Sequence, residues 1–251
     1  MAPEKKDIDA REFEGRVVLV TGAATGLGSV IAQEFHARGA FTVMVDQSSE
    51  VEKRASSLSS NRVLGITADL TVRKEVEEMR KEILLTCGNV DTVVNNAGRY
   101  SPVAISDITE DEFDELIAIN LKTVFLVTQC FMKDLLERKF GRVVNIASSD
   151  AYIPKVTNAH YAAAKAGVIS LTKTFAAELA PYVLVNGVSP GPISTETAQS
   201  QGWLQKAIER NPLQRAADPC DIAEVVLFLA SERNRFINGE TVVVNGGATM
   251  V

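Results

Sequence analysis

Tyr161 and Lys165 stand four residues apart in the stretch HYAAAKAGVIS, His160 to Ser170, where alanines make a strong helix former. One helical turn puts the phenol and the ammonium on the same face, within reach of each other. A phenol titrates at about 10 in water, too high to exchange its proton readily at neutral pH. A neighbouring cation favours the phenolate and lowers that value, which would make the pair a general acid/base. Such a group suits the protonation of the alkoxide left when a carbonyl accepts a hydride. Ser148 in ASSD adds a hydroxyl that can orient the carbonyl and stabilise the developing charge. Ser149 competes for that role, since side chains alternate along a strand and only one of the two faces a given side. Taken alone, the Tyr161 and Lys165 pair is no more than decoration on a packed helix.

A second group of residues changes that reading. RVVLVT, Arg16 to Thr21, is a β-branched run of strand type that leads into TGAATGLG, Thr21 to Gly28, and then into a helical pattern. Glycines in such a turn let the backbone approach a pyrophosphate while the helix N-terminus aims its N–H groups at the negative charge. The spacing of Gly22, Gly26 and Gly28 differs from the usual dinucleotide fingerprint, so a ligand-free turn competes. Asp46 closes the next strand, where a carboxylate meets the adenosine ribose in doubly wound folds. There it accepts hydrogen bonds from both ribose hydroxyls and repels a 2'-phosphate. No Arg or Lys stands at Gln47 or Ser48, and Thr25 leaves the glycine loop uncharged. NAD, rather than NADP, is the expected cofactor.

TGAATGLG, NNAG at Asn95 to Gly98, Asn120 in IAINL, Ser148, YAAAK and PGPIST occur together in one order and spacing. In this the chain resembles the classical short-chain dehydrogenase/reductase family, from about Glu14 to the C-terminus. The resemblance implies a single Rossmann-like domain with a seven-stranded parallel sheet. It implies Tyr161 as general acid/base, Lys165 as its electrostatic partner, Ser148 as donor to the substrate carbonyl and Asn120 as holder of a proton-relay water. The implied dinucleotide contacts are Gly22, Thr25, Gly26, Leu27 and Gly28 in the loop, Asp46 at the ribose, and Asp69 with Leu70 at the adenine. Asn96, Ala97 and Gly98 line the cleft, joined by Tyr161 and Lys165. Ile193 and Thr195, after Pro190 and Gly191, grip the nicotinamide carboxamide. Spacing to Tyr161 within the family selects Ser148 over Ser149.

Departures from the family pattern are local. ELAPYVLVNGV is one residue short before the sixth strand and lacks a basic residue often found there, and Asn245 in VVVNGG replaces a common Asp. Both bear on packing or subunit contacts. His160 stands where relatives place a small or polar residue, and is expected to cap or pack beside the helix start rather than touch substrate.

Elements that could hold these residues alternate along the whole chain. FTVMVD, VLGIT, DTVVNNAG, GRVVNIAS, YVLVNGV and TVVVN follow the first strand, with helical patterns between them. Alternation of this kind predicts a three-layer, doubly wound α/β fold with one parallel sheet. The domain is expected over residues 15–251, after a polar N-terminal extension, 1–14. Capping boxes are expected at Ser49 with Glu52 and at Thr109 with Glu112, and Asp218 is expected to cap a helix begun by Pro219. ELIAINLKTVFLVTQCFMKDLLER reads as one long helix, apolar on nearly every side, which a partner subunit could cover. Residues 190–213 read as an irregular insertion whose only tryptophan, Trp203, joins Arg99, Tyr100 and residues 150–156 in the expected substrate wall.

The formal charge of -6 gives no basic field for nucleic acid or anionic lipid. The N-terminus lacks the apolar core of a signal peptide, and no apolar run approaches the roughly 18 residues of a membrane span; a cytoplasmic protein is expected. Cys87, Cys130 and Cys220 with two histidines suit neither a disulfide framework nor a metal site, so the cysteines read as small buried hydrophobes and no metal is expected. The sequence points to an NAD(H)-dependent oxidoreductase that interconverts a secondary alcohol and a ketone, assembled as a homotetramer or a dimer. Its rivals are a 3-oxoacyl-carrier-protein reductase, a class that usually prefers NADPH and needs a basic docking surface, and a catalytically silent nucleotide-binding protein.

Overall fold

Short β-branched runs, buried on both faces, build parallel strands. In the computed structural model, which describes residues 11–58, 60–200 and 204–251, the first three are β1 (Val17–Thr21), β2 (Phe41–Asp46) and β3 (Val63–Thr67), separated by α1 (Gly26–Ala37) and α2 (Glu50–Ser57). Then come α3 (Arg73–Cys87), β4 (Thr92–Asn95), α4 (Glu110–Ile117), α5 (Thr123–Glu137), β5 (Gly141–Ile146), α6 (Ala159–Leu179) and β6 (Val183–Pro190). The chain ends with α7 (Glu196–Ser200), α8 (Leu204–Glu209), α9 (Pro219–Ala230) and β7 (Thr241–Val244). The seven strands form one sheet in the order β3-β2-β1-β4-β5-β6-β7, every pairing parallel.

Side-chain alternation divides the core in two. Val18 and Val20 of β1 pack with Ile31 and Phe35 of α1 and Val226 and Leu227 of α9. Val17 and Leu19 face the other side, towards Met79 of α3, Phe131 of α5 and Phe175 of α6. Phe13, ahead of β1, meets Phe35 edge-on at 4.8 Å. The strand order reverses between β1 and β4, which opens a crevice at the carboxyl ends of the strands.

Two of the expected helix caps form. Thr109 Oγ1 accepts from Glu112 N at 3.2 Å while the Glu112 carboxylate accepts from Thr109 N at 3.0 Å. Asp218 accepts from Cys220 N at 2.8 Å ahead of Pro219. At α2 the expected box is absent. Ser49 is already helical, φ -62 and ψ -10, so its hydroxyl cannot reach the first-turn N–H groups, and Glu52 instead accepts from Thr67 Oγ1 on β3 at 2.6 Å.

The expected long helix forms, continuous over Glu110–Glu137, and carries a π turn, Ala118–Lys122, between α4 and α5. This helix holds an 18-residue window of mean hydropathy 1.4 and is long and apolar enough to cross a membrane, although Asn120 and Lys122 interrupt its apolar run. It lies along the sheet as a core helix, burying Leu126, Val127, Phe131 and Leu135. The insertion after β6 is not irregular throughout, since it carries α7 and α8; Trp203 lies outside the described residues. The cysteines, expected to be buried, are less so: Cys87 and Cys130 are only partly buried, packed against the core, and Cys220 is exposed, because the first turn of α9 presents it to solvent while Ile222 and Ala223 take the core positions.

Candidate active site

The turn after β1 needs glycine for conformation and for space. Gly22 and Gly26 have φ of +64 and +56, and a Cβ on Gly28 would lie 2.1 Å from Gly22 O and 2.4 Å from Asn96 Nδ2. Thr25 caps α1 with an extended backbone and no side-chain bond to the helix, which leaves the first-turn N–H groups directed out of the helix end. This is a cradle that fits a pyrophosphate. Thr21 Oγ1 accepts from both Asn96 N and Ala97 N at 3.0 Å, and Asn96 Nδ2 donates to Thr21 O at 2.9 Å. Sequence reasoning missed Thr21; its signal was a polar residue ending an otherwise apolar strand.

Asp46 ends β2 against the glycine turn. Its carboxylate accepts from Ala24 N at 3.1 Å and Ser48 N at 3.0 Å, so it braces the glycine loop, and it also lines the crevice. Asp69 accepts from Thr71 N at 2.9 Å and Thr71 Oγ1 at 2.7 Å, a turn that brings Leu70 to the same wall. One cleft of about 550 Å³ is lined by Gly22, Thr25, Gly26, Leu27, Gly28, Asp46, Asp69 and Leu70. It continues along Asn96, Ala97 and Gly98 to Ser148 and Tyr161, and is closed by Pro190, Gly191, Ile193 and Thr195. The sequence-predicted residues are thereby brought together, with Asn120 and Lys165 buried behind the wall.

The two serines separate. Ser149 Oγ donates to Pro190 O at 3.1 Å, which ties it to β6. Ser148 caps the short 3₁₀ turn after β5, accepting from Asp150 N at 3.2 Å, and its hydroxyl is hydrogen-bonded to Tyr161. Lys165 Nζ donates to Ile146 O at 2.8 Å and stands 5.8 Å from the centre of the Tyr161 ring. Asn120, in the π turn, donates from Nδ2 to Arg99 O at 2.9 Å and Leu116 O at 3.1 Å, and accepts at Oδ1 from Arg99 N at 3.2 Å. A Cβ on Gly98 would lie 2.5 Å from Asn120 Oδ1 and 3.3 Å from Lys165 Nζ, so the two groups converge where only glycine leaves room.

Tyr161 and Lys165 titrate differently from the sequence expectation. Burial pushes the Tyr161 phenol well above its ordinary value; the Ser148 hydroxyl opposes this, and Asp150 and Tyr100 add to it. Burial also lowers Lys165 to about 8. Within the protein alone, desolvation dominates at both groups, because each charged form loses water. His160 is 1% exposed; burial lowers its pKa, with Glu112 raising it and Arg99 lowering it. It packs beside the helix start, as expected.

A polar ladder that sequence reasoning did not find holds α5 and α6 to the sheet. Asn95 Nδ2 donates to Thr128 Oγ1 at 2.9 Å and Asn145 Oδ1 at 2.8 Å, and Asn145 Nδ2 donates to Thr172 Oγ1 at 2.9 Å. All four side chains are buried; their hydrogen bonds run across the sheet and favour one arrangement, although Asn95 Oδ1 is left without a partner among the described residues. The ladder anchors the helix that carries Tyr161.

Comparison with known proteins agrees with this geometry. Residues 22–249 match the family model described as enoyl-(acyl carrier protein) reductase. The chain is 35% identical over 243 residues to a 3-oxoacyl-(acyl-carrier-protein) reductase of Aquifex aeolicus, covering 94% of this chain and 98% of that protein. It is 36% identical over 245 residues to the (2S)-((R)-hydroxy(phenyl)methyl)succinyl-CoA dehydrogenase subunit BbsD of Thauera aromatica, covering 95% and 98%. The crystal structure of a short-chain dehydrogenase/reductase titled glucose/ribitol dehydrogenase, from Brucella melitensis, superposes with a TM-score of 0.88 at 34% identity, covering 96% of this chain and 99% of that one. With the sheet order, the glycine turn and the Tyr161 and Lys165 helix in place, the chain belongs to the short-chain dehydrogenase/reductase family of oxidoreductases.

Proposed function

We propose that the protein is an NAD(H)-dependent oxidoreductase that interconverts a secondary alcohol and a ketone. The observation that carries this reading is one cleft holding Ser148 and Tyr161 at one end and the glycine turn with Asp46 at the other. A bound nicotinamide dinucleotide supplies or accepts the hydride. The first-turn N–H groups of α1 hold its pyrophosphate, Asp46 its ribose and Asp69 with Leu70 its adenine, while Ile193 and Thr195 hold the carboxamide.

In ketone reduction Tyr161 gives its proton to the carbonyl oxygen while Ser148 donates a hydrogen bond to the same atom. The raised pKa keeps Tyr161 protonated until that moment, and Lys165, a turn away, then stabilises the phenolate. Asn120 Oδ1, converging with Lys165 on Gly98, supports a path by which the phenol regains its proton. The exposed Phe113 and Phe125 on α4 and α5 support a homotetramer assembled through that face.

Replacing Tyr161 by Phe tests the assignment: turnover of ketones with NADH falls about a hundredfold or more while NADH affinity is retained. Wild-type rates in that variant remove Tyr161 as proton donor. Tight NADH binding without activity towards any alcohol or ketone favours the silent nucleotide-binding protein. The 3-oxoacyl-carrier-protein reductase is the second reading, favoured by the names of curated relatives at about one-third identity, and reduction of an acetoacetyl thioester with NADPH in preference to NADH selects it.

A further inference from the structure

The wall beside Ser148 and Tyr161 is built of paired charges. Lys155 Nζ lies 3.1 Å from Asp150 Oδ1 and 3.3 Å from Oδ2. Asn158 closes a ring with them: its Nδ2 donates to Asp150 Oδ2 at 2.6 Å and its Oδ1 accepts from Lys155 N at 3.0 Å. The ring is joined to the reacting end of the cleft through Asp150 N, which donates to Ser148 Oγ. On the facing side Tyr100 meets Tyr161 edge-on at 5.1 Å and is hydrogen-bonded to Asn158. Arg99, also on the cleft wall, pairs with Glu115 at 2.8 Å.

Each cation on this wall is matched by a carboxylate. An anionic substrate would meet Asp150 and Glu115 along with Lys155 and Arg99, and gains little. An acyl chain would strip water from both ion pairs and return no hydrogen bonds. A hydroxyl both donates and accepts, so it can bridge an ammonium and a carboxylate without disturbing either. Lys155 is well placed to hold one, because its side chain is 58% exposed while that of Asp150 is 12% exposed, which fixes the ammonium and leaves it reachable.

We infer that the Asp150 and Lys155 pair is the specificity element of the site and selects a small, neutral, polyhydroxylated ketone or alcohol through a hydroxyl near the reacting carbon. The inference rests on the oxidoreductase reading above.

The test compares kcat/KM with NADH for erythrulose, a trihydroxy ketone, and butan-2-one, its hydroxyl-free counterpart. Acetoacetate and an acetoacetyl-N-acetylcysteamine thioester serve as anionic and acyl probes. The wild type prefers erythrulose to butan-2-one by about tenfold to a hundredfold, the range expected of one hydrogen bond to a charged group, and prefers it to both acetoacetyl probes. In Lys155→Met that ratio collapses towards unity through KM, and Lys155→Arg restores part of it. NADH affinity and melting temperature, measured on the same samples, report folding. If Lys155→Met fails to fold, the ratio in Lys155→Arg and Asp150→Asn and the wild-type ranking decide.

A folded Lys155→Met with an unchanged ratio, or a wild type that prefers either acetoacetyl probe, overturns the inference and leaves the oxidoreductase reading standing. Binding of NADH with no ketone reduced overturns both.

Discussion

The two halves of the cleft are made differently. The nucleotide half is mostly backbone: a turn between β1 and α1, the ends of β2 and β4, and the N–H groups of a helix start. The substrate half is mostly side chains on connections: an ion-paired ring at residues 150–158, Arg99 and Tyr100 after β4, and the segment after β6 that crosses to meet the glycine turn, with Thr195 Cγ2 3.8 Å from a Cβ placed on Gly26. A backbone cradle admits few residue types, since a Cβ either fits or does not. A side-chain wall admits many, since one ion pair can replace an apolar patch without moving a strand. The first half therefore marks a family and the second marks a substrate.

Ser148 and Ser149 sit at the seam between the halves and give the largest contrast. Only Ser148 faces Tyr161, so Ser148→Ala is expected to lower kcat about a hundredfold to a thousandfold, the loss found when one oxyanion donor is removed. Ser149→Ala loses only a bond to Pro190 O and is expected to keep kcat within about threefold, since one neutral hydrogen bond contributes about 1 kcal/mol. Equal losses in steady-state assays of the two variants would place both serines at the carbonyl and erase the boundary between the halves.

Lys165 yields the next effect, through stability. Its pKa falls from 10.5 to about 8 on folding, so the unfolded chain binds the extra proton more readily. Stability from this group is fully present above about pH 10.5 and is lost as the pH falls towards 8, a difference of about 3 kcal/mol. Tyr161 is shifted upward, so it acts oppositely above its ordinary pKa; the measurement is therefore made in a Tyr161→Phe background. There Lys165→Met is expected to be more stable than its parent below pH 8, with the advantage shrinking as the pH rises towards 10.5. Denaturant unfolding that shows a pH-independent difference would mean that Lys165 keeps its ordinary pKa.

Gly28 probes the nucleotide half by volume. A Cβ 2.1 Å from Gly22 O must displace backbone, so Gly28→Ala is expected to cost about 1–3 kcal/mol of stability and to weaken NADH binding at least tenfold. The same alanine at Gly26, where the nearest atom is 3.8 Å away but φ is +56, strains conformation alone and costs about 1 kcal/mol. Calorimetric unfolding and NADH titration rank the two; a Gly28→Ala protein that binds NADH normally would show that the turn is not a tight cradle.

The same division explains what could be read from sequence. The parallel sheet and its helical layers follow from β-branched runs that alternate with helices, while the strand order does not, and Gly22, Gly26, Gly28, Asp46, Tyr161 and Lys165 stand at positions fixed by backbone geometry. The π turn at Asn120 was not legible, because no single residue in AINLK forbids an unbroken helix. The ladder through Asn95, Thr128, Asn145 and Thr172 was hidden because its members lie far apart in the chain and meet only across the sheet. Ser49 was misread because a capping box depends on the backbone angle at its first residue, which sequence does not supply. The upward shift of Tyr161 was not legible because its main cause, burial, is invisible in a four-residue spacing.

Asp46 gives the smallest effect and the finest test of the two halves, because it serves the fold and the cofactor at once. Its carboxylate braces Ala24 N in the glycine turn and faces the position proposed for the ribose. Asp46→Ala removes both, so loss of NADH affinity alone would not separate brace from reader. The ratio of NADH to NADPH does. Removing the negative charge relieves repulsion of a 2'-phosphate, and the preference for NADH in kcat/KM is expected to fall about tenfold, a change of about 1.4 kcal/mol. Asp46→Asn keeps an oxygen for Ala24 N while removing the charge, so it should shift the ratio equally with less loss of stability. A ratio unmoved in both variants, with stability lost only in the alanine, would make Asp46 a brace and leave cofactor choice to other residues of the nucleotide half.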